Sequence, residues 1–122
     1  MTIRSLARLG ASLAFALFAT AAFAHAQLEK AVPAVGGTVS SPSEIRLEFS
    51  EGVEPRFTGV ALTSASGAAQ PLGKSATAPG NNKILIMKIG KALPPGVYTV
   101  TWHAVSVDTH HTQGSFNFTV AP

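Results

Sequence analysis

Glu44-Ile45-Arg46-Leu47-Glu48-Phe49 alternates strictly between polar and apolar residues. A period of two is typical of a β-strand that buries one face. Four further strands are predicted at 59–63, 83–89, 97–105 and 115–120, and 83–89 is expected to lie in the middle of its sheet. Turn residues rich in Pro, Gly and Ser separate these segments, and no amphipathic helix is predicted. This spacing predicts an all-β domain, either a small Greek-key β-sandwich or a barrel.

Residues 64–82, rich in Ala, Ser, Gly and Pro, are predicted to be a loop with at most one weak strand.

The apolar faces of the predicted strands are expected to form the core. Met87 lies among isoleucines and a leucine, which favours a core position over a role as a metal ligand. The other predicted core residues share one face of the last two strands: Tyr98, Val100 and Trp102, and Phe116, Phe118 and Val120.

Residues 1–24 are predicted to be a secretory signal peptide. Arg4 and Arg8 precede an apolar run, and Ala22-Phe23-Ala24 fits a small-x-small cleavage site. A cut after Ala24 leaves one domain, residues 25–122, and makes His25 the first residue of the exported protein. The overlapping Ala24-His25-Ala26 has the same small-x-small form and would discard His25, and the signal-peptide pattern alone does not choose between the two cuts.

The composition limits the kinds of metal site, catalytic nucleophile and binding partner that the chain can have. The chain has no cysteine, which excludes disulfides, thiolate metal sites and cysteine nucleophiles. Metal ligands would therefore be nitrogen and oxygen, a set that suits Cu(II), Ni(II) or Zn(II) more than Cu(I). Two of the nine Lys and Arg residues lie in the predicted signal peptide, which leaves a nearly neutral domain. Without a basic run, the sequence predicts no nucleic-acid partner.

Three residues are candidate metal ligands. A free amine and imidazole on His25 would chelate one metal ion, and bound metal displaces their protons. Asp108 and His110 would point to the same side of an extended segment, within a predicted loop over 108–114. A solvated turn with an incidental Asp and His is the alternative interpretation of this pair. Glu51 is a possible further oxygen donor.

Several segments together resemble the CopC-type periplasmic copper-resistance proteins. The resemblance covers nearly all of residues 25–122, and the terminal His with the Ser-x-Asp-x-His segment is its most specific part. The matching segments are His25-Ala26-Gln27-Leu28 with Ala31-Val32-Pro33-Ala34 and Gly36, Ile45 to Glu51, Pro94 to Tyr98, Thr101 to His110, and Gly114 to Val120.

The resemblance implies a seven-stranded, cupredoxin-like or Ig-like sandwich with a Cu(II) site. By position, the ligands are His25 through its amine and imidazole, Asp108 and His110, with Glu51 as a neighbour. A terminal His also implies cleavage after Ala24. Some family members carry a Met-rich Cu(I) site in the mid-chain loop, but residues 64–82 contain no Met, so one Cu(II) site and no Cu(I) site are predicted.

The predicted function is that of a monomeric periplasmic copper-binding protein in copper trafficking, homeostasis or resistance, not an enzyme. The resemblance implies delivery to an inner-membrane transporter of the CopD type. A histidine-brace copper monooxygenase and a metal-free Ig-like domain are the alternatives. His103, which stands where family members often have Arg, and His111 are both interpreted as surface residues.

Overall fold

The structure is a computed structural model that describes residues 25–122. In this range the regular secondary structure consists of β-strands. The predicted signal peptide, residues 1–24, lies outside the described residues. Within residues 25–122 no helix is long and apolar enough to cross a membrane. The strands in this range are β1 (Leu28–Val32), β2 (Thr38–Val39), β3 (Glu44–Phe49), β4 (Gly59–Ser64), β5 (Ala69–Gln70), β6 (Ala76–Ala78), β7 (Asn81–Lys88), β8 (Gly96–Val105) and β9 (His111–Val120).

These strands form two sheets, which confirms the predicted all-β sandwich. One sheet has the order β1-β3-β7-β6 and the other the order β2-β9-β8-β4-β5. Neighbours run antiparallel except for β2 beside β9. Non-consecutive strands such as β3 and β7, or β4 and β8, pair because the chain crosses repeatedly between the sheets. Seven of the described strands have three or more residues, matching the predicted number.

The core lies between the sheets and follows the predicted alternation. Ile45, Leu47 and Phe49 of β3 have no exposed surface, whereas the residues between them are half-buried. The Phe49 and Trp102 rings meet edge to face with their centroids 5.4 Å apart, which joins β3 of one sheet to β8 of the other. Met87 of β7 is 2% exposed, so its predicted core position is confirmed.

Two sequence predictions were wrong in their boundaries. The predicted loop over 64–82 contains β5 and β6, two short strands that each lie at an edge of one of the two sheets. The last strand begins at His111 rather than Ser115, so the predicted loop over 108–114 ends at His110. Residues 111–114 are mostly polar and show no apolar alternation. They are nevertheless strand because each pairs with a residue of β8, from Val105 opposite His111 to Trp102 opposite Gly114.

Candidate metal centre

Buried Ser106 organises the turn between β8 and β9, residues 106–110. The backbone N–H of Ser106 donates to the His110 carbonyl at 2.9 Å, and that of Thr109 donates to the Ser106 carbonyl at 2.7 Å. Thr109 has a φ of 73°, in the left-handed region. The segment is therefore a tight turn, and the expectation that Asp108 and His110 lie on an extended segment is wrong.

The turn nevertheless places the Asp108 and His110 side chains together. Asp108 Oδ1 lies 3.2 Å from His110 Nδ1, and the two side chains are 41% and 49% exposed. The Ser106 hydroxyl donates to the same carboxylate oxygen and accepts from the His110 backbone N–H at 3.2 Å. The Ser106 hydrogen bond, followed by the interactions with His110, holds the pKa of the Asp108 carboxyl below its usual range. The pair thus presents an ionised carboxylate beside an imidazole at the protein surface.

A second segment, residues 50–54, is hydrogen-bonded to this turn. The Val107 N–H donates to the Gly52 carbonyl at 3.0 Å, and the Glu54 N–H donates to the Val105 carbonyl at 2.9 Å. Val53 forms an isolated antiparallel bridge with Ser106. The turn is therefore fixed to the chain that leaves β3, at one end of the sandwich.

The start of the described chain, residues 25–27, reaches the same end of the sandwich. The Gln27 N–H donates to Ser50 Oγ at 2.9 Å, and the Thr112 hydroxyl donates to the Ala26 carbonyl at 2.9 Å. Ala26 has no exposed surface and belongs to the core. This anchoring brings the His25 ring edge-on against the His110 ring, with centroids 4.6 Å apart and planes at 87°.

The structure thus brings together all three predicted ligands, from two distant parts of the sequence. Among residues 25–122, no three His, Asp or Glu side chains are already grouped as metal ligands would be. His25, Asp108 and His110 are all exposed, and the described contacts join His110 to each of the other two. In the unprocessed chain the His25 nitrogen belongs to a peptide bond, and it becomes a donor amine only after cleavage.

The other candidates lie outside this contact. Glu51 is half-buried two residues after the end of β3, and no hydrogen bond in the described residues joins it to the three side chains. His103 is exposed on β8, and its ring lies over Gly59 of β4, where a Cβ would come within 3.2 Å of it. His111 is the exposed first residue of β9. The prediction that His103 and His111 are surface residues is confirmed.

Sequence reasoning assigned no separate role to three hydroxyl residues of this region. Ser106 was detectable, because it opens the Ser-x-Asp-x-His segment. Ser50 and Thr112 belong to no recognisable sequence motif. Their hydrogen bonds join positions that are far apart in the chain. Only the fold shows that both touch residues 25–27.

The fold agrees with comparisons to known proteins. The model of the CopC domain matches residues 28–121. The chain belongs to the CopC family. Protein YobA of Escherichia coli K12 is 38% identical to this CopC chain over 120 residues, covering 98% of the chain and 97% of YobA. Copper resistance protein C of Xanthomonas campestris pv. juglandis is 35% identical over 122 residues, with 96% of each chain covered.

A solved CopC-family structure has the same architecture. The crystal structure of PcoC from Escherichia coli, titled a methionine-rich copper resistance protein, superposes with a TM-score of 0.72 at 35% identity. The match covers 80% of this chain and 99% of PcoC. The family resemblance found in the sequence is therefore confirmed. This CopC chain has two methionines, Met1 and the buried Met87.

Proposed function

We propose that this CopC-family chain is a periplasmic Cu(II)-binding protein for copper trafficking, homeostasis or resistance. The contact of the His25 and His110 rings at 4.6 Å, with Asp108 at 3.2 Å from His110, carries this proposal. Two of the relatives described above, copper resistance protein C and PcoC, are named for copper resistance.

The donor set suits Cu(II) as the bound cargo. His25 would supply its terminal amine and imidazole, His110 a second imidazole, and Asp108 a carboxylate. Three nitrogens and one oxygen match the tetragonal N/O arrangement that Cu(II) prefers. The lowered pKa of Asp108 extends the ionised state of the fourth donor to lower pH. Copper affinity is expected to fall on acidification, because the amine and imidazoles must be deprotonated to bind.

The position of Ala26 supports cleavage after Ala24, which the site requires. A cut after Ala26 would remove a residue with no exposed surface and the carbonyl to which Thr112 donates. A cut after Ala24 keeps both and frees the amine of His25. The proposal therefore takes residues 1–24 as the signal peptide and residues 25–122 as the copper-binding domain.

The proposal includes one Cu(II) site and no Met-rich Cu(I) site. Residues 64–82, which include β5 and β6, contain no methionine, and Met87 is buried in the core. Thioether sulfur, the soft donor that favours Cu(I), is thus not available at the surface of residues 25–122. Glu51 is not included as a ligand.

The proposed role is that of a monomeric, non-enzymatic carrier that delivers copper to an inner-membrane transporter of the CopD type. The three proposed ligands lie on an exposed turn and an exposed chain end, where a partner can reach the metal. An ascorbate-dependent peroxide or polysaccharide-oxidation assay is expected to show no turnover above free copper. Sustained turnover would favour the monooxygenase alternative.

A competition titration of the secreted, mature protein with Cu(II) tests the proposal, with EPR as the second readout. We expect one tetragonal Cu(II) per chain. In His25→Ala the affinity should fall by more than about a hundredfold, since even groups that only orient a ligand are worth about ten- to a hundredfold. His111→Ala removes an exposed imidazole beside the site and serves as the matched control. Unchanged affinity in His25→Ala would contradict the assignment.

A further inference from the structure

We infer that Thr112 and Ser50 are positioning residues that set the copper affinity by holding residues 25–27 between the two sheets. The inference rests on the proposed copper site, but it concerns two side chains that donate nothing to the metal. Thr112 lies on β9 and Ser50 directly follows β3, so the two hydroxyls contact residues 25–27 from opposite sheets.

Thr112 ties residues 25–27 to the strand that carries His110. Its partly buried hydroxyl donates to the Ala26 carbonyl at 2.9 Å. Thr112 pairs with fully buried Ala104 of β8, so its backbone is fixed by the centre of the sheet rather than by a loop. Only His111 separates it from His110. The bond therefore sets the position of the residue after His25 relative to His110.

Ser50 fixes the same segment to the other sheet. Its backbone N–H donates to the Gln27 carbonyl at 2.8 Å, and its hydroxyl accepts from the Gln27 N–H at 2.9 Å. These bonds continue the pairing of β1 with β3 beyond Leu28 and Phe49. The Ser50 hydroxyl accepts the Gln27 N–H in place of the backbone carbonyl of a regular strand pair. Before Gln27 the chain therefore leaves β3 and lies against β9, where Thr112 donates to the Ala26 carbonyl.

Holding residues 26 and 27 leaves His25 with little freedom. Ala26 is fully buried between the two anchors, so the only movable parts ahead of it are the backbone and side chain of His25. A chain end without these anchors would have to be ordered when copper binds, and that loss of conformational entropy weakens binding. The two hydroxyls order the segment before copper arrives.

The test compares Thr112→Val, which keeps the shape and removes the donor, with Thr112→Ser, which keeps the hydroxyl. Thr119→Val on the same strand, at the opposite end of the sandwich, is the matched control. A net hydrogen bond corresponds to about a three- to tenfold change in an equilibrium constant, so the Kd of Thr112→Val for Cu(II) should rise by about that factor. Thr112→Ser and Thr119→Val should keep the wild-type Kd.

A second measurement separates positioning from general stability. The rise in Tm on adding Cu(II) should be smaller for Thr112→Val than for wild type, and the EPR spectrum should show altered Cu(II) parameters. Equal Kd and equal copper-induced Tm shifts in Thr112→Val and wild type would overturn the inference, as would a loss that Thr112→Ser does not restore. If Thr112→Val does not fold, Ser50→Ala with Ser115→Ala as its control gives the same comparison.

The same series distinguishes this inference from the proposed function. If wild-type protein and His25→Ala bind Cu(II) equally, the proposed site is wrong, whatever Thr112 does. If wild type binds through His25 and Thr112→Val matches it, the site stands and the positioning role is wrong.

Discussion

The imidazole of His25 lies edge-on against that of His110, although the two residues stand at opposite ends of the domain sequence. One belongs to a chain end held by Ala26 in the core, and the other to a turn held by Ser106. Neither side chain is itself packed in the interior. The geometry of the pair is therefore produced by neighbouring residues.

Acetylation of the terminal amine should weaken Cu(II) binding by more than about tenfold, because it removes one nitrogen donor and the chelate ring of His25. The protein should begin at His25 and be compared with the same protein carrying a free amine. Isothermal competition titration gives the affinity, and intact mass confirms the modification and the copper stoichiometry. Equal affinity of the two forms would show that the amine is not a ligand.

Ser106→Ala should raise the pKa of Asp108 toward its usual range, because the Ser106 hydroxyl is the main cause of the lowering. In the wild-type protein the ionised Asp108 stabilises the turn above the usual carboxyl pKa, and that stabilisation is lost as the pH falls through the lowered pKa. In Ser106→Ala this loss should be smaller and should be complete at a higher pH, because the pKa of the folded protein lies closer to that of the unfolded chain. NMR titration of the metal-free carboxyl measures the shift.

Ser115→Ala, at an exposed position of β9, serves as the control for Ser106→Ala and should leave the Asp108 titration unchanged. If Ser106→Ala titrates like the wild-type protein, the hydroxyl does not control the charge of Asp108.

Met87→Leu should leave copper binding unchanged and cost less than about 1.5 kcal/mol of stability, because the exchange conserves volume in the core. Both Cu(II) titration and a Cu(I) competition assay should give the same result for variant and wild type. Loss of Cu(I) binding in Met87→Leu would contradict the proposal that the chain has no methionine site.

Gly114→Ala should destabilise the domain by about 1–3 kcal/mol, the usual cost of overpacking. A Cβ at this position would lie 2.7 Å from Trp102 Cζ2, and the indole is held against Phe49 in the core. Urea unfolding followed by the fluorescence of Trp102, the single tryptophan, measures the change. Ser115→Ala should stay close to wild type, and an equally stable Gly114→Ala would mean that the indole moves freely.

The sequence predicts the central strands well, because their apolar side chains face the core and alternate with polar side chains that face outward. Ile45, Leu47 and Phe49 alternate with polar residues and are fully buried. It does not predict the first four residues of β9, where pairing with β8 rather than apolar alternation determines the conformation. The same holds for β5 and β6, which are short edge strands within a segment of small residues.

The candidate site shows the same division. The spacing of Asp108 and His110 correctly indicates that the side chains lie together, but the reason is a turn with Thr109 at positive φ, not an extended segment. The contact of His25 with His110 depends on bonds from Ser50 and Thr112 to the chain end. Such bonds join residues that no local pattern connects, so only the folded chain reveals them.

The complete burial of Ala26 has a consequence for quality control in the cell. A chain cut after Ala26 instead of Ala24 would lose the proposed ligand and a core residue in one step. Losses of about 1–2 kcal/mol are enough to change protein abundance several-fold through proteolysis of unfolded chains. Chains with the wrong end would therefore be degraded preferentially, and the surviving population would be enriched in the form that keeps His25.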